Sequence, residues 1–71
     1  MKGIYLAWYA FGDNITYVKV VALSRKQAGY FFGRWLSKIV GSVDDLAPLP
    51  ECVGSAPDFA PLGAVYGENG I

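Results

Sequence analysis

The chain has no histidine and a single cysteine, Cys52. Without a second thiol no internal disulfide can form. One thiol and no imidazole leave a zinc-type ligand set incomplete. The Ser-His and Cys-His pairs of nucleophilic catalysis are missing for the same reason. No Lys-Ser/Thr pair follows a glycine-rich stretch and no GxGxxG pattern occurs, so neither phosphate-binding fingerprint is present. These absences predict a protein with no catalytic residues, no cofactor and no metal.

Long apolar runs are also lacking. The longest uncharged apolar run at the N-terminus is Gly3 to Phe11, far short of the ~20 residues a membrane-spanning helix needs. Lys2, this run and Ala10-Phe11-Gly12 loosely imitate a secretory leader with its small-x-small site. The stretch reads better as a strand, so neither membrane nor export is expected. A lone cysteine fits a reducing cytoplasm.

Charge is scarce, at 17% of residues, and sums to zero. The signs, however, are segregated. Residues 1–40 hold Lys2, Lys19, Arg25, Lys26, Arg34 and Lys38 against Asp13, a balance of +5. Residues 41–71 hold Asp44, Asp45, Glu51, Asp58 and Glu68 with no cation, a balance of −5. Such asymmetry suggests an anionic partner or an acidic tail. The simpler reading is that the acidic half folds back and neutralises the basic half.

What the chain does have is apolar surface. Hydrophobic residues make up 54% of it, and eleven of its 71 residues are Phe, Trp or Tyr. This length gives one domain, residues 1–71. A chain so short buries only about 60% of its unfolded surface. With disulfides and metals unavailable, stability has to come from a dense core or from a partner chain.

Residues 1–23 predict a β-hairpin. Ile4 to Phe11 is aromatic-rich and Ile15 to Leu23 is rich in β-branched residues. Gly12-Asp13-Asn14 between them tolerates positive φ. Neither strand has a polar face, and a two-stranded hairpin is not stable alone.

Residues 24–40 predict the helix that covers it. Ser24-Arg25-Lys26-Gln27 forms a capping box, and Gly41 suits the C′ position. At 100° per residue, Ala28, Phe31, Phe32, Trp35, Leu36 and Ile39 share the buried face. Lys26, Gln27, Tyr30, Arg34, Ser37 and Lys38 share the outer one.

Residues 41–71 form an acidic segment rich in proline and glycine. Ser42-Val43-Asp44-Asp45 suggests one capped helical turn, and Pro48 and Pro50 an extended connection. Val53, Phe59, Leu62, Val65, Tyr66 and Ile71 argue against a disordered tail. A short third strand near Leu62–Tyr66 is expected, with fraying from Glu68 to Ile71. The fold class is therefore α+β, in the order ββαβ.

Four features could carry function. Asp44 and Asp45 are adjacent and point apart, which suits a helix N-terminus better than paired acid–base chemistry. Cys52, flanked by Pro50 and Glu51, has no cation to activate it and reads as a small buried apolar residue. Gly29 and Gly33 form a small-xxx-small pair, which costs helix propensity. It suggests close packing, either on the chain's own elements or on a second copy.

The fourth feature is a ridge of Lys26, Tyr30, Arg34 and Lys38 at four-residue spacing. Cations around an aromatic could hold phosphates and stack a base. Equally, they are what the solvated face of an amphipathic helix carries. One helix covers one sheet face, which would leave Tyr5, Tyr9, Phe11 and Tyr17 beside Lys19 on the other. That surface has the composition of a protein interface. It also has the physical character of a base-stacking platform.

The functional expectation is a non-catalytic protein-binding module, a small inhibitor or adaptor acting on a larger complex. Its contact residues would be Lys26, Tyr30, Arg34, Lys38, Tyr5, Tyr9, Tyr17 and Lys19. Small anti-host inhibitors from viruses and mobile elements, anti-CRISPR proteins among them, are similar in size and composition, with no shared motif. The partner would be another protein, or a second copy in a homodimer. The alternative is RNA or single-stranded DNA bound by the same residues.

Overall fold

A computed structural model describes all 71 residues. Five antiparallel strands and one helix form an α+β domain. Strand β1 (Gly3–Phe11) and strand β2 (Asn14–Ala22) pair along their whole length. The loop between them is two residues, Gly12-Asp13, with Phe11 opposite Asn14. Gly12 has φ 54° and Asp13 has no positive φ. Positive φ at the first loop position alone is the type II′ pattern, which matches the natural strand twist.

The length of this loop decides the faces. A three-residue turn would put Phe11 opposite Ile15, and Tyr5, Tyr9 and Phe11 on one face with Tyr17 and Lys19. The two-residue turn slips the register by one, and a slip of one exchanges faces. Tyr5 therefore opposes Val20, and Tyr17 opposes Trp8.

Helix α1 (Arg25–Trp35) follows β2 and packs on the Tyr5/Val20 face. Ser24 caps the helix as expected, and the glutamine reaches back one residue beyond the cap, to Leu23 rather than to Ser24. Gln27 N–H donates to Ser24 Oγ at 3.1 Å, and Gln27 Oε1 accepts from Leu23 N–H at 2.7 Å. The core joins Tyr5, Ala7, Val18, Val20 and Ala22 of the sheet to Ala28, Phe32 and Leu36 of the helical segment. Burying Phe32 contributes about 3 kcal/mol at the usual area scale.

The helical segment does not stay α-helical to its end. Leu36–Val40 is a π-turn, closed by Gly41 N–H donating to Leu36 O at 2.7 Å. The wider turn corrects one sequence expectation. Val40 packs against the core, whereas Ile39, assigned to the buried face, is 69% exposed. The positive φ of Gly41, 90°, then ends the helix as expected.

The C-terminal half is more ordered into strands than the sequence suggests. Strand β3 (Asp45–Leu46) and strand β4 (Glu51–Ser55) share the outer edge of β1. There is no helical turn at 42–45. Between the two strands Ala47 N–H still donates to Trp8 O at 2.9 Å. Pro48 and Pro50 lack that donor, and this stretch leaves the sheet toward the helix. There Leu49 Cδ2 lies 3.0 Å from where a Gly29 side chain would start.

The chain then crosses to the far edge. Gly63, with φ 86°, helps close a turn in which Ala64 N–H donates to Pro61 O at 3.1 Å. Strand β5 (Val65–Gly67) pairs with Val18–Val20. It begins three residues later than expected because of that turn. The C-terminal residues are tied down by Gly70 N–H to Gly67 O at 2.9 Å and by Lys19 Nζ to Ile71 O at 3.2 Å.

Candidate functional site: an open sheet face and a basic groove

The residues singled out by sequence divide among the core, the open sheet face and the outer ridge of the helix. Tyr5 is buried in the core beneath the helix, and Tyr9 packs against the same core, its ring 6.0 Å from that of Trp35. Neither lies on the open side of the sheet, which corrects the expected tyrosine platform. Phe11, at the end of the helix-covered face, lies edge-on to Tyr9 at 6.1 Å. Tyr17 and Lys19 do lie on the open side, opposite Trp8 and Leu6 respectively.

That open face is apolar. Ile4, Leu6, Trp8, Ile15 and Tyr17 line it by strand alternation beside Lys19, while Val21 and Ala10 on the same side are buried, so the face is open only between them. Ile15 is 57% exposed and Tyr17 39%. The face continues at the edge of the sheet into a groove of about 330 Å3, where Leu6 and Trp8 meet Ala47, Pro48, Leu49 and Val53. Arg25 and Glu51 stand at its rim, 3.8 Å apart. Sequence reading missed Leu6, Trp8 and Val53. The loop length, read as two residues, would have found the first two.

The second surface is the outer ridge of the helix. Lys26, Tyr30, Arg34 and Lys38 are all exposed, and the Arg34 guanidinium lies 5.7 Å from the centre of the Tyr30 ring. Lys26, Arg34 and Lys38 make no ion pair, because Arg25–Glu51 is the single ion pair of the chain. The acidic half folds back on the basic half through its strands, yet makes only this one contact ion pair with it. Lys2 and Lys19 donate instead to backbone carbonyls, and Arg25 does so in addition to its ion pair. Arg34 and Lys38 also border a groove of about 300 Å3 floored by Phe31, Trp35, Leu62 and Gly63.

The remaining candidates have local duties. Asp44 accepts from Gly12 N–H at 2.6 Å, and Asp45 Oδ1 from its neighbour Leu46 N–H at 2.9 Å. Cys52 is exposed rather than buried. It lies on edge strand β4, while the helix lies chiefly over β2, and its thiol reaches only Gly54 O at 3.6 Å. Gly29 is explained by Leu49 and Pro50 packed against it, whereas a side chain at Gly33 would meet nothing within 4 Å.

No helix is long and apolar enough to cross a membrane. Comparison with known proteins finds no similar family model, no similar curated protein and no similar solved structure.

Proposed function

We propose that this chain is a non-catalytic protein-binding module, an inhibitor or adaptor that engages another protein through the open sheet face. The observation that carries this reading is the continuous apolar strip from Ile15 and Tyr17 through Trp8 and Leu6 to Val53. It is uncovered by the single helix and rimmed by Arg25 and Glu51. Aromatic residues at the centre with charged residues at the rim are the anatomy of a protein interface. Contiguous apolar surface of this kind on a small protein marks an interaction site. Reducing cytoplasm remains the compartment that a lone exposed thiol suits best.

The test is capture from lysate after nuclease treatment, with wild-type chain and with an Ile15→Lys/Tyr17→Ser variant. Both positions are exposed enough to spare the fold. A stoichiometric protein partner held by wild type and lost by the variant supports the reading. A partner retained by the variant contradicts it.

One observation favours a second reading, binding of RNA or single-stranded DNA. Lys26, Arg34 and Lys38 are free of ion pairs and flank Tyr30. Two observations weigh against it. The net charge is zero, whereas nucleic-acid binding draws on a basic excess. Tyr5 and Tyr9 are also committed to the core side and cannot stack bases.

A further inference from the structure

The strongest unexplained side chain in the molecule is Phe59. It is 75% exposed, and it sits on a fixed loop rather than a loose one. Lys2 Nζ donates to the carbonyls of both Asp58 and Ala60, the residues on either side. Ala60 is fully buried, and its N–H donates to Pro57 O at 3.0 Å. The loop therefore holds an aromatic ring out in solvent, next to the Asp58 carboxylate, which makes no ion pair.

The groove beside the helix has the complementary character. Phe31, Trp35 and Leu62 give it an apolar floor, and Arg34 and Lys38 give it two cations with no carboxylate partner. An aromatic ring with an adjacent carboxylate fits both properties at once. A desolvated aromatic anchor supplies affinity, and a flanking charge pair supplies register.

We propose that the Asp58-Phe59 knob of one copy docks in the Phe31–Lys38 groove of a second copy, forming a homodimer. Knob and groove are close in the chain. Phe59 and Leu62 are three residues apart, so their Cα atoms are at most about 11 Å apart. One two-fold axis beside them can seat both knobs, which closes the assembly as a dimer and prevents an open filament. The dimer also brings one unpaired carboxylate of the acidic half, Asp58, to two unpaired cations of the basic half. It uses a different surface from the open sheet face, so the two proposals stand or fall separately.

Sedimentation velocity of the full chain, from micromolar to millimolar concentration, tests the proposal. The wild type is expected to approach twice its 7.7 kDa mass. Phe59→Ser is expected to weaken the dimer at least tenfold, roughly the loss of one interface anchor. The double variant Arg34→Glu/Lys38→Glu and the single variant Asp58→Lys each place like charges together and are expected to be monomeric when alone. Mixed in equal amounts, these two variants are expected to associate, because every contact in the mixed dimer pairs opposite charges. Misfolding cannot produce that recovery.

A wild type that stays monomeric throughout overturns the proposal. So does a dimer indifferent to Phe59→Ser, or a mixture that fails to associate. Monomeric chain whose Arg34 and Lys38 are needed to retain nucleic acid or a foreign acidic protein assigns the groove to that occupant instead.

Discussion

The Asp44 carboxylate accepts a hydrogen bond from the Gly12 backbone N–H at 2.6 Å, across 32 residues of sequence. This contact clips the acidic half of the chain to the tip of the hairpin. Asp44 N–H donates in turn to Ala10 O at 3.0 Å, so one residue secures both the turn and the strand before it. Asp44→Ala is expected to cost about 1 kcal/mol, the net worth of such a bond. Asp44→Asn should recover part of that loss. Urea denaturation reads both, and an unchanged midpoint for Asp44→Ala contradicts the clip.

The two helix glycines should respond differently to alanine. At Gly33 a new methyl meets open space, so Gly33→Ala should gain the helix-propensity difference, about 1 kcal/mol. At Gly29 the methyl meets Leu49 Cδ2 at 3.0 Å, and the displaced leucine offsets that gain. Thermal unfolding of the two variants should therefore rank Gly33→Ala above Gly29→Ala. The reverse order would mean that the proline-rich connection does not pack on the helix.

Two aromatic residues on opposite sides of the helix should differ more sharply. Phe32 is buried in the core, whereas Tyr30 is 61% exposed. Phe32→Ala is expected to cost about 3–5 kcal/mol, most of the stability of a domain this small. Tyr30→Ala should stay within about 0.5 kcal/mol. Circular dichroism melts distinguish the two, and comparable losses would contradict the orientation of the helix.

Reversal of Arg34 and Lys38 to Glu tests the nucleic-acid reading against the sheet-face reading. Loss of nucleic-acid binding in the double variant, with a salt dependence in the wild type of about one unit of log slope per phosphate contact, supports the helix ridge as the binding surface. An unchanged protein partner in the same variant supports the open sheet face. Nucleic-acid binding retained in the double variant contradicts the ridge as its site.

Sequence made the local features legible and left the non-local ones dark. The Ser24 cap on Gln27 N–H and the stop at Gly41 depend on neighbours in the chain, and both form. The buried stripe held for Ala28, Phe32 and Leu36 and failed at Ile39, where a π-turn replaces the regular helix. Both strands of the hairpin are apolar on both sides, so composition alone could not say which face met the helix. That rested on one residue of turn length. Strand β4 was hidden because Glu51-Cys52-Val53-Gly54-Ser55 lacks alternation, and only its pairing with β1 makes it a strand. The contact residues split for the same reason. The helix ridge was legible from its four-residue spacing, whereas Trp8 and Leu6 became candidates only once the register was known.

The central claim is that the open sheet face is the protein-binding surface, and hydroxyl-radical footprinting with the captured partner tests it most directly. Tyr17 and Tyr30 provide matched probes, the same chemistry on the open sheet face and on the outer helix face. The account predicts that the partner protects Tyr17, together with Ile15 and Trp8, and leaves Tyr30 as reactive as in the free chain. Protection of Tyr30 with Tyr17 unchanged would contradict it and move the interface to the helix.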